Sequence, residues 1–292
     1  MSPCRRSIRK SSATDGRGFT VIELILSVAL ITLAMAATSG MFLAGKWHMQ
    51  MQQREVETTQ AARAAVDMIV RDLRLGGACL PVTGEFISID GTNNGQTDTI
   101  TTRTGLTRPD LSCVSTAVPQ NQTVTASGST VPVQSADGFT TGMTVYIRNP
   151  SGEGEYFKIT SVSATPAQLG KSTTLSQDYP ATSGVYAIDQ RRFYIDTWNS
   201  PKGPLPQLML QIGDNPTQPL AVGIEKLNLQ YQLQRNCPPC DVIDLPATDA
   251  EWSTVDAVLL SLTARSDLPD KDGNYYRRVV KVNVKPRNLL PK

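Results

Sequence analysis

A continuous apolar run near the start of the chain is the feature that most limits its fold. Residues 24–45 include a few hydroxyl side chains but no charged one, and a single acid, Glu23, stands directly before them. A helix of about 20 apolar residues is long enough to cross a bilayer. An acid at membrane depth is costly, so Glu23 is a candidate functional residue from the outset.

The 18 residues that begin the chain form a basic leader. It holds five basic residues against one acid, Asp15, and its removal would change the formal net charge from +2 to −2. Positive charge beside a span favours the cytoplasmic side of the membrane. A secretory signal is cleaved after its apolar run. Here cleavage is expected before the run, so the mature protein would keep its helix; an uncleaved signal anchor is the alternative.

The junction between leader and helix carries a specific motif. Residues 18–24 read Gly-Phe-Thr-Val-Ile-Glu-Leu, which resembles the processing site of type IV prepilins and pseudopilins. The resemblance implies cleavage after Gly18 by prepilin peptidase, N-methylation of Phe19, and pairing of Glu23 with the Phe19 ammonium of a neighbouring subunit. The alternative for Glu23 is a neutral acid without a partner. The implied partners are other minor and major pilins, prepilin peptidase, the inner membrane and the assembly platform.

The periodicity predicts one long helix from about Thr20 to Leu75, ending at Gly76-Gly77. Its first half is apolar all round, and its second half is amphipathic. The predicted apolar stripe of the second half comprises Val56, Thr59, Ala62, Val66, Ile69, Val70 and Leu73. The predicted fold class is α+β, with this helix packed on a mostly antiparallel β-sheet domain. The resemblance implies that this arrangement is type IV pilin-like.

Beyond Cys79 the helical period gives way to short runs of Val, Ile, Thr and Tyr between turn residues. The predicted domains are a leader (1–18), a helix with a transmembrane first half (19–77), and a β-rich domain outside the cytoplasm (78–292). A β insertion is predicted at about 119–184. The predicted strands are 85–90, 97–103, 131–134, 144–148, 156–162, 171–175, 185–188, 192–197, 207–212, 221–234, 256–266 and 275–285.

Cysteine usage indicates an oxidising compartment. Cys4 lies in the leader, which leaves four cysteines and three ways of forming two disulfides. Proximity in the sequence favours the pairs Cys79–Cys113 and Cys237–Cys240. The second pair is a C-x-x-C motif, for which a structural disulfide is favoured. A redox or metal role remains the alternative, although no second ligand pair suggests zinc.

The chain shows little that predicts catalysis. Its single histidine, His48, falls in the long helix, so a histidine-based triad in the β domain is excluded. No glycine-rich phosphate loop is present, and the near-neutral mature chain gives no basic patch for nucleic acid. Residues 270–274 read Asp-Lys-Asp-Gly-Asn, for which a hairpin turn is favoured over a calcium loop. The expectation is a protein that is not an enzyme and has no cofactor.

Three further segments narrow the family resemblance. The helix end (63–79), the strand at 221–231 and the C-terminal strand at 277–288 resemble those of PilW-type minor pilins. That resemblance implies a low-abundance subunit that helps initiate or cap a filament, first in the inner membrane and then in a pilus or pseudopilus. The alternatives are the J-type pseudopilin of type II secretion, a tip adhesin-like binding subunit, and an anchored thiol oxidoreductase using Cys237 and Cys240.

Overall fold

The apolar and amphipathic parts of the N-terminal region form one helix, α1, at Val21–Leu75. The computed structural model describes residues 20–81, 86–95, 97–200, 203–234, 239–270 and 272–286. No proline interrupts the helical sequence. The predicted helix is thus confirmed, with its start one residue later. The chain divides into two compact units, residues 1–53 and 54–292, and α1 contributes to both.

The part of α1 that belongs to the second unit buries one face. Ala62, Val66, Ile69 and Leu73 are almost completely shielded from solvent, as the apolar stripe predicted. The stripe was wrong at Val56, which is 53% exposed. The buried face instead continues through Thr58, four residues before Ala62. Its hydroxyl donates to the carbonyl of Arg54 at 2.7 Å, so burial leaves that donor satisfied.

Two glycines end the helix where the sequence predicts. The N–H of Gly76 still donates to the carbonyl of Asp72 at 3.0 Å, whereas the N–H of Gly77 donates to the carbonyl of Arg103 at 2.9 Å. Gly77 has a φ of 77°, a left-handed conformation that costs glycine little. The chain therefore leaves the helix hydrogen-bonded to a β-strand.

After the helix, nearly all of the regular secondary structure in the described residues is β-strand, which confirms the α+β prediction at the level of one long helix followed by an antiparallel β domain. One short helix, α2, lies at Asp249–Ser253, capped by Thr248. The strands are β1 Ile89–Asn93, β2 Asp98–Gly105, β3 Ser115–Ala117, β4 Thr130–Pro132, β5 Thr144–Arg148, β6 Gly154–Ala164, β7 Ala167–Lys171, β8 Gly184–Ser200, β9 Gly203–Ile212, β10 Gln218–Val222, β11 Ile224–Leu233, β12 Val242–Ile243, β13 Val255–Arg265 and β14 Arg277–Val284.

A four-stranded antiparallel sheet in the order β12-β11-β13-β14 forms one layer of the main core. Alternate residues of β11 from Leu227 to Leu233 are buried, and the residues between them are more exposed. This is the pattern of an antiparallel sheet with one face on the core and the other in contact with solvent. The buried residues join those of α1 and of β1, β2, β8 and β9 in a single hydrophobic cluster. This cluster holds the C-terminal half of the helix against the β domain.

The 17-residue strand β8 connects this core to a second one. Its first part pairs with β3 and β5, and its later part pairs with β2 and β9 within a ten-stranded sheet. Val185 and Ala187 are buried in a separate cluster that extends back to Val114, whereas Phe193 belongs to the main core. The residues predicted to form an insertion thus have a hydrophobic cluster of their own, with β8 shared between the two.

Most strand boundaries differ from the sequence prediction; the first strand, predicted at 85–90, lies at Ile89–Asn93. The predicted strand 221–234 is interrupted at Gly223, whose φ is 81° and whose Cβ, if present, would lie 2.6 Å from the Arg265 carbonyl oxygen. The predicted strands 185–188 and 192–197 are one strand, because Asp189, Gln190 and Arg191 all pair with β2 despite their polarity. The strand predicted at 171–175 instead ends at Lys171.

Candidate functional site

The helix half in the first unit presents its apolar side chains to the surroundings on every side. Leu33 is 72% exposed and Phe42 is 73% exposed, and the most apolar 18-residue window of α1 has a mean hydropathy of 2.2 with no buried residue. This helix is long and apolar enough to cross a membrane. Apolar surface all round a helix is characteristic of a membrane span or of a helix that packs against others.

Three hydroxyl groups within this segment are satisfied inside the helix. Ser27 donates to the carbonyl of Glu23 at 2.7 Å, Thr32 to that of Ala29 at 2.9 Å, and Thr38 to that of Ala34 at 2.9 Å. A polar group in lipid is costly unless it is hydrogen-bonded. These three residues therefore interrupt the apolar sequence without leaving an unsatisfied donor.

Glu23 lies in the first turn of α1 and takes part in its cap. Its N–H donates to the carbonyl oxygen of Thr20 at 3.0 Å and faces the Thr20 hydroxyl oxygen at 3.3 Å. A threonine followed three residues later by glutamate is the sequence pattern of a capping box. Sequence reasoning missed the capping contact made by Thr20, which the Thr-x-x-Glu spacing could have indicated. The other two residues of the predicted processing site, Gly18 and Phe19, lie outside the described residues.

A disulfide joins the end of the helix to the start of the second hydrophobic cluster. Cys79 and Cys113 are bonded, with their Cα atoms 5.5 Å apart, and they are separated by 34 positions in the sequence. This is the pair that sequence proximity favoured. Gly105 lies against the bridge, since a Cβ there would be 2.7 Å from the Cβ of Cys79. Cys240 is also disulfide-bonded, and its predicted partner, Cys237, lies outside the described residues.

The segment considered as a calcium loop connects two strands. Strands β13 and β14 pair antiparallel on either side of it. One carboxylate oxygen of Asp270 accepts the N–H groups of Asp272 and Asn274 at 2.9 and 2.8 Å, and the Asp270 N–H donates to the Asn274 carbonyl at 2.7 Å. This is the hairpin turn that the sequence favoured. Within the described ranges, no group of three or more potential His, Cys, Asp or Glu ligands is close enough to hold a metal.

The second unit contains two buried acids that sequence reasoning did not single out. Asp72 of α1 accepts from the Arg191 guanidinium at 3.2 Å, and Arg191 also binds Asp189 at 3.0 Å. Asp98 accepts the N–H of Leu229 at 2.6 Å. Burial raises the pKa of both Asp72 and Asp98 above the ordinary aspartate value, opposed by Arg191 in one case and by the Leu229 N–H in the other. Both acids have structural partners within the fold.

The described part of the β domain includes a larger and a smaller groove. The larger, of about 580 Å³, lies on the outer face of the four-stranded sheet beside the turn between β1 and β2, and its lining includes Asp98, Asp244 and Lys281. Gln230 donates to Asp244 there at 2.9 Å. The smaller, of about 380 Å³, lies where β3, β5 and β8 meet. Neither groove could be located from the sequence, because each combines residues that are distant in the chain.

No protein-family model matches the chain, and no curated protein matches it.

Proposed function

We propose that this protein is a minor pilin of a type IV pilus, which is processed after Gly18 and helps to initiate or cap the filament. The observation that carries the proposal is the helix α1, whose apolar half is exposed all round while its second half is built into a folded β domain. A filament gives such a helix two successive environments, first the bilayer and then the packed helices of other subunits.

The proposed role of Glu23 depends on its charge. Cleavage after Gly18 would create an ammonium at Phe19, and a carboxylate at the top of a neighbouring subunit's helix would neutralise it. Pairing two charges in an apolar environment relieves the cost of burying either alone and fixes the register between subunits. The capping contact with Thr20 uses the backbone N–H of Glu23 and does not depend on that side chain. An experiment therefore has to separate the charge of the side chain from its size and polarity.

Two substitutions separate them. Glu23→Gln keeps the size and polarity of the side chain but removes its charge, whereas Glu23→Val removes both polarity and charge; both variants keep the backbone contact with Thr20. If the charge matters for assembly, both variants are processed normally and both fail to enter filaments. Processing is followed by the mass of the mature N-terminus, and assembly by the amount of this protein in sheared filaments. Assembly of Glu23→Gln at the wild-type level would contradict the proposed pairing.

The pilus assignment has a separate test. A strain lacking this chain is expected to lose most surface filaments, measured as the amount of major pilin after shearing, and to regain them on complementation. Normal filaments in that strain would contradict the proposed initiating role. A simultaneous loss of protein secretion would then favour the J-type pseudopilin of type II secretion. The proposed role is structural, and we propose no enzymatic activity and no cofactor.

A further inference from the structure

Strand β14, at Arg277–Val284, forms the free edge of the four-stranded sheet. It pairs with β13 through all eight of its residues without a register shift. On its other side, no strand and no backbone hydrogen bond reaches it from the described residues. A row of unpaired N–H and C=O groups along a strand is a template for the addition of another strand. The edge of β14 therefore offers a pairing surface to a segment from outside the chain.

The other edge strands of the described sheets are shorter or interrupted. Strand β12 has two residues, and β4 has three and ends at Pro132. Strands β1 and β10 have five residues each, and β10 carries a register shift next to Pro219. Short strands, proline and bulges are common ways of protecting an edge from pairing. Strand β14 has none of the three, so it is the edge best suited to pairing.

The inner face of β14 is apolar at its centre. Val280 and Val282 are half-buried and pack against the main core. Directly opposite residues on neighbouring antiparallel strands lie on the same face, with their side chains in contact. Apolar residues opposite Val280 and Val282 would therefore extend the core and cover the exposed part of both side chains. Burial of apolar surface would favour their binding.

The outer face of β14 is basic. Arg277 binds Glu225 at 2.7 Å, and Lys285, one residue beyond the strand, binds Asp256 at 2.8 Å. Lys281, between them, is exposed and makes no ion pair within the described part of the chain. An acid opposite Lys281 on an added strand would supply this ammonium with a partner. The charge of the edge thus favours an acidic segment.

We propose that β14 binds an extended segment of a different protein, in which an acid lies between apolar residues, as a fifth strand of this sheet. In this mode of recognition, backbone hydrogen bonds provide affinity and alternate side chains provide specificity. A second copy of β14 is a poor partner, because the strand has three basic residues and no acid. The proposal concerns the β domain alone and is independent of the filament role.

Peptides test the edge directly. The probe is Thr-Thr-Val-Glu-Val-Thr-Ser-Thr with capped ends and a fluorescent label. Paired antiparallel, it places its glutamate opposite Lys281 and its valines opposite Val280 and Val282. Two further peptides carry N-methyl groups at alternate positions, so that each has one of its two edges blocked. Binding to the full chain in detergent is measured by fluorescence anisotropy.

One of the two methylated peptides is expected to bind at least about 10-fold more weakly than the probe, because its blocked edge faces β14. The other should bind like the probe, since its methyl groups point away from the sheet. Equal affinity of the two methylated peptides would show that the backbone edge is not used and would overturn the proposal. Absence of probe binding at millimolar concentration would overturn it as well.

A charge reversal tests the predicted register. Lys281→Glu should lower the affinity for the probe about 3- to 10-fold and raise the affinity for a probe with lysine in place of glutamate. Lys226→Glu is the matched control, because Lys226 is exposed on β11, two strands from the edge. It should leave both affinities at the wild-type value. Equal losses in the two variants would indicate non-specific attraction and contradict the proposal. If Lys281→Glu does not fold, the methylated peptides on the wild-type protein still decide the question.

Discussion

The two halves of helix α1 meet their surroundings in opposite ways. In the first unit, Leu33 is 72% exposed, whereas in the second unit Leu73 is completely buried. The apolar residues of the first half face all directions, whereas most of those in the second half share one face that packs in the main core. One continuous helix thus has two kinds of surroundings. Its first half is exposed, and its second half packs into a hydrophobic core.

The comparison shows that the formation of the helix and the burial of its side chains have different causes. Both halves lack proline, and both are helical in the structure. What differs is the distribution of apolar side chains around the axis, because an all-round apolar surface has no buried partner within the chain, and a stripe has one. The acids differ likewise: Asp72 is paired with Arg191 in the fold, whereas a partner for Glu23 is expected from another subunit.

The largest expected effect comes from the same substitution made in each half. Leu73→Ala should lower the free energy of unfolding of the β domain by about 3–5 kcal/mol, because it leaves a cavity in the main core. Leu33→Ala should leave that free energy unchanged, since the residue has no contact in the core. Urea unfolding of the detergent-solubilised chain, followed by near-ultraviolet circular dichroism, measures both.

Filament content of the same two variants completes the comparison. Leu33→Ala is expected to reduce assembly while the domain stays folded. If instead Leu33→Ala lowered the unfolding free energy as much as Leu73→Ala, the division of the helix into two independent halves would be untenable.

A smaller effect is expected from removing the disulfide that follows the buried half. Replacing Cys79 and Cys113 together by alanine leaves no new free thiol and reopens a loop of 34 positions. Loss of that constraint on the unfolded chain should lower the free energy of unfolding by about 2–4 kcal/mol. Urea unfolding of the double variant and of the oxidised wild type measures the difference. Equal stability of the two proteins would show that the core alone fixes the end of the helix.

The sequence was a good guide wherever one local pattern sufficed. Periodicity located α1, its end at Gly76-Gly77 and most of the buried stripe, because these depend on neighbouring residues. Periodicity wrongly predicted that Val56 is buried, because burial there depends on whether the β domain covers that turn of the helix. The break at Gly223 also depends on a distant contact, the approach of Arg265.

The same limit applies to the candidate sites. The motif around Glu23 is continuous in the sequence, so its significance could be argued without a structure. The pairing of Asp72 with Arg191, 119 positions apart, and the smaller groove exist only after the strands are in register. No local pattern marks either, because the contributing residues are ordinary in their own surroundings.

The smallest effect concerns the acid of the buried half. Burial raises the pKa of Asp72, whose side chain is 4% exposed, and Arg191 opposes the increase only in part. Since the folded-state pKa lies above the unfolded one, the stability linked to protonation is complete at low pH and is lost as the pH rises through the folded pKa. Asp72→Asn removes this dependence. The free energy of unfolding of the wild type should therefore fall relative to that of the variant between pH 4 and pH 7. Urea unfolding at both pH values measures it, with the exposed Asp67→Asn on the same helix as the control. If the free energy of unfolding of the wild type instead rises relative to that of the variant, attraction to Arg191 outweighs the desolvation of Asp72. The buried half of the helix would then gain stability from a charge, as filament assembly is proposed to do from the charge of Glu23.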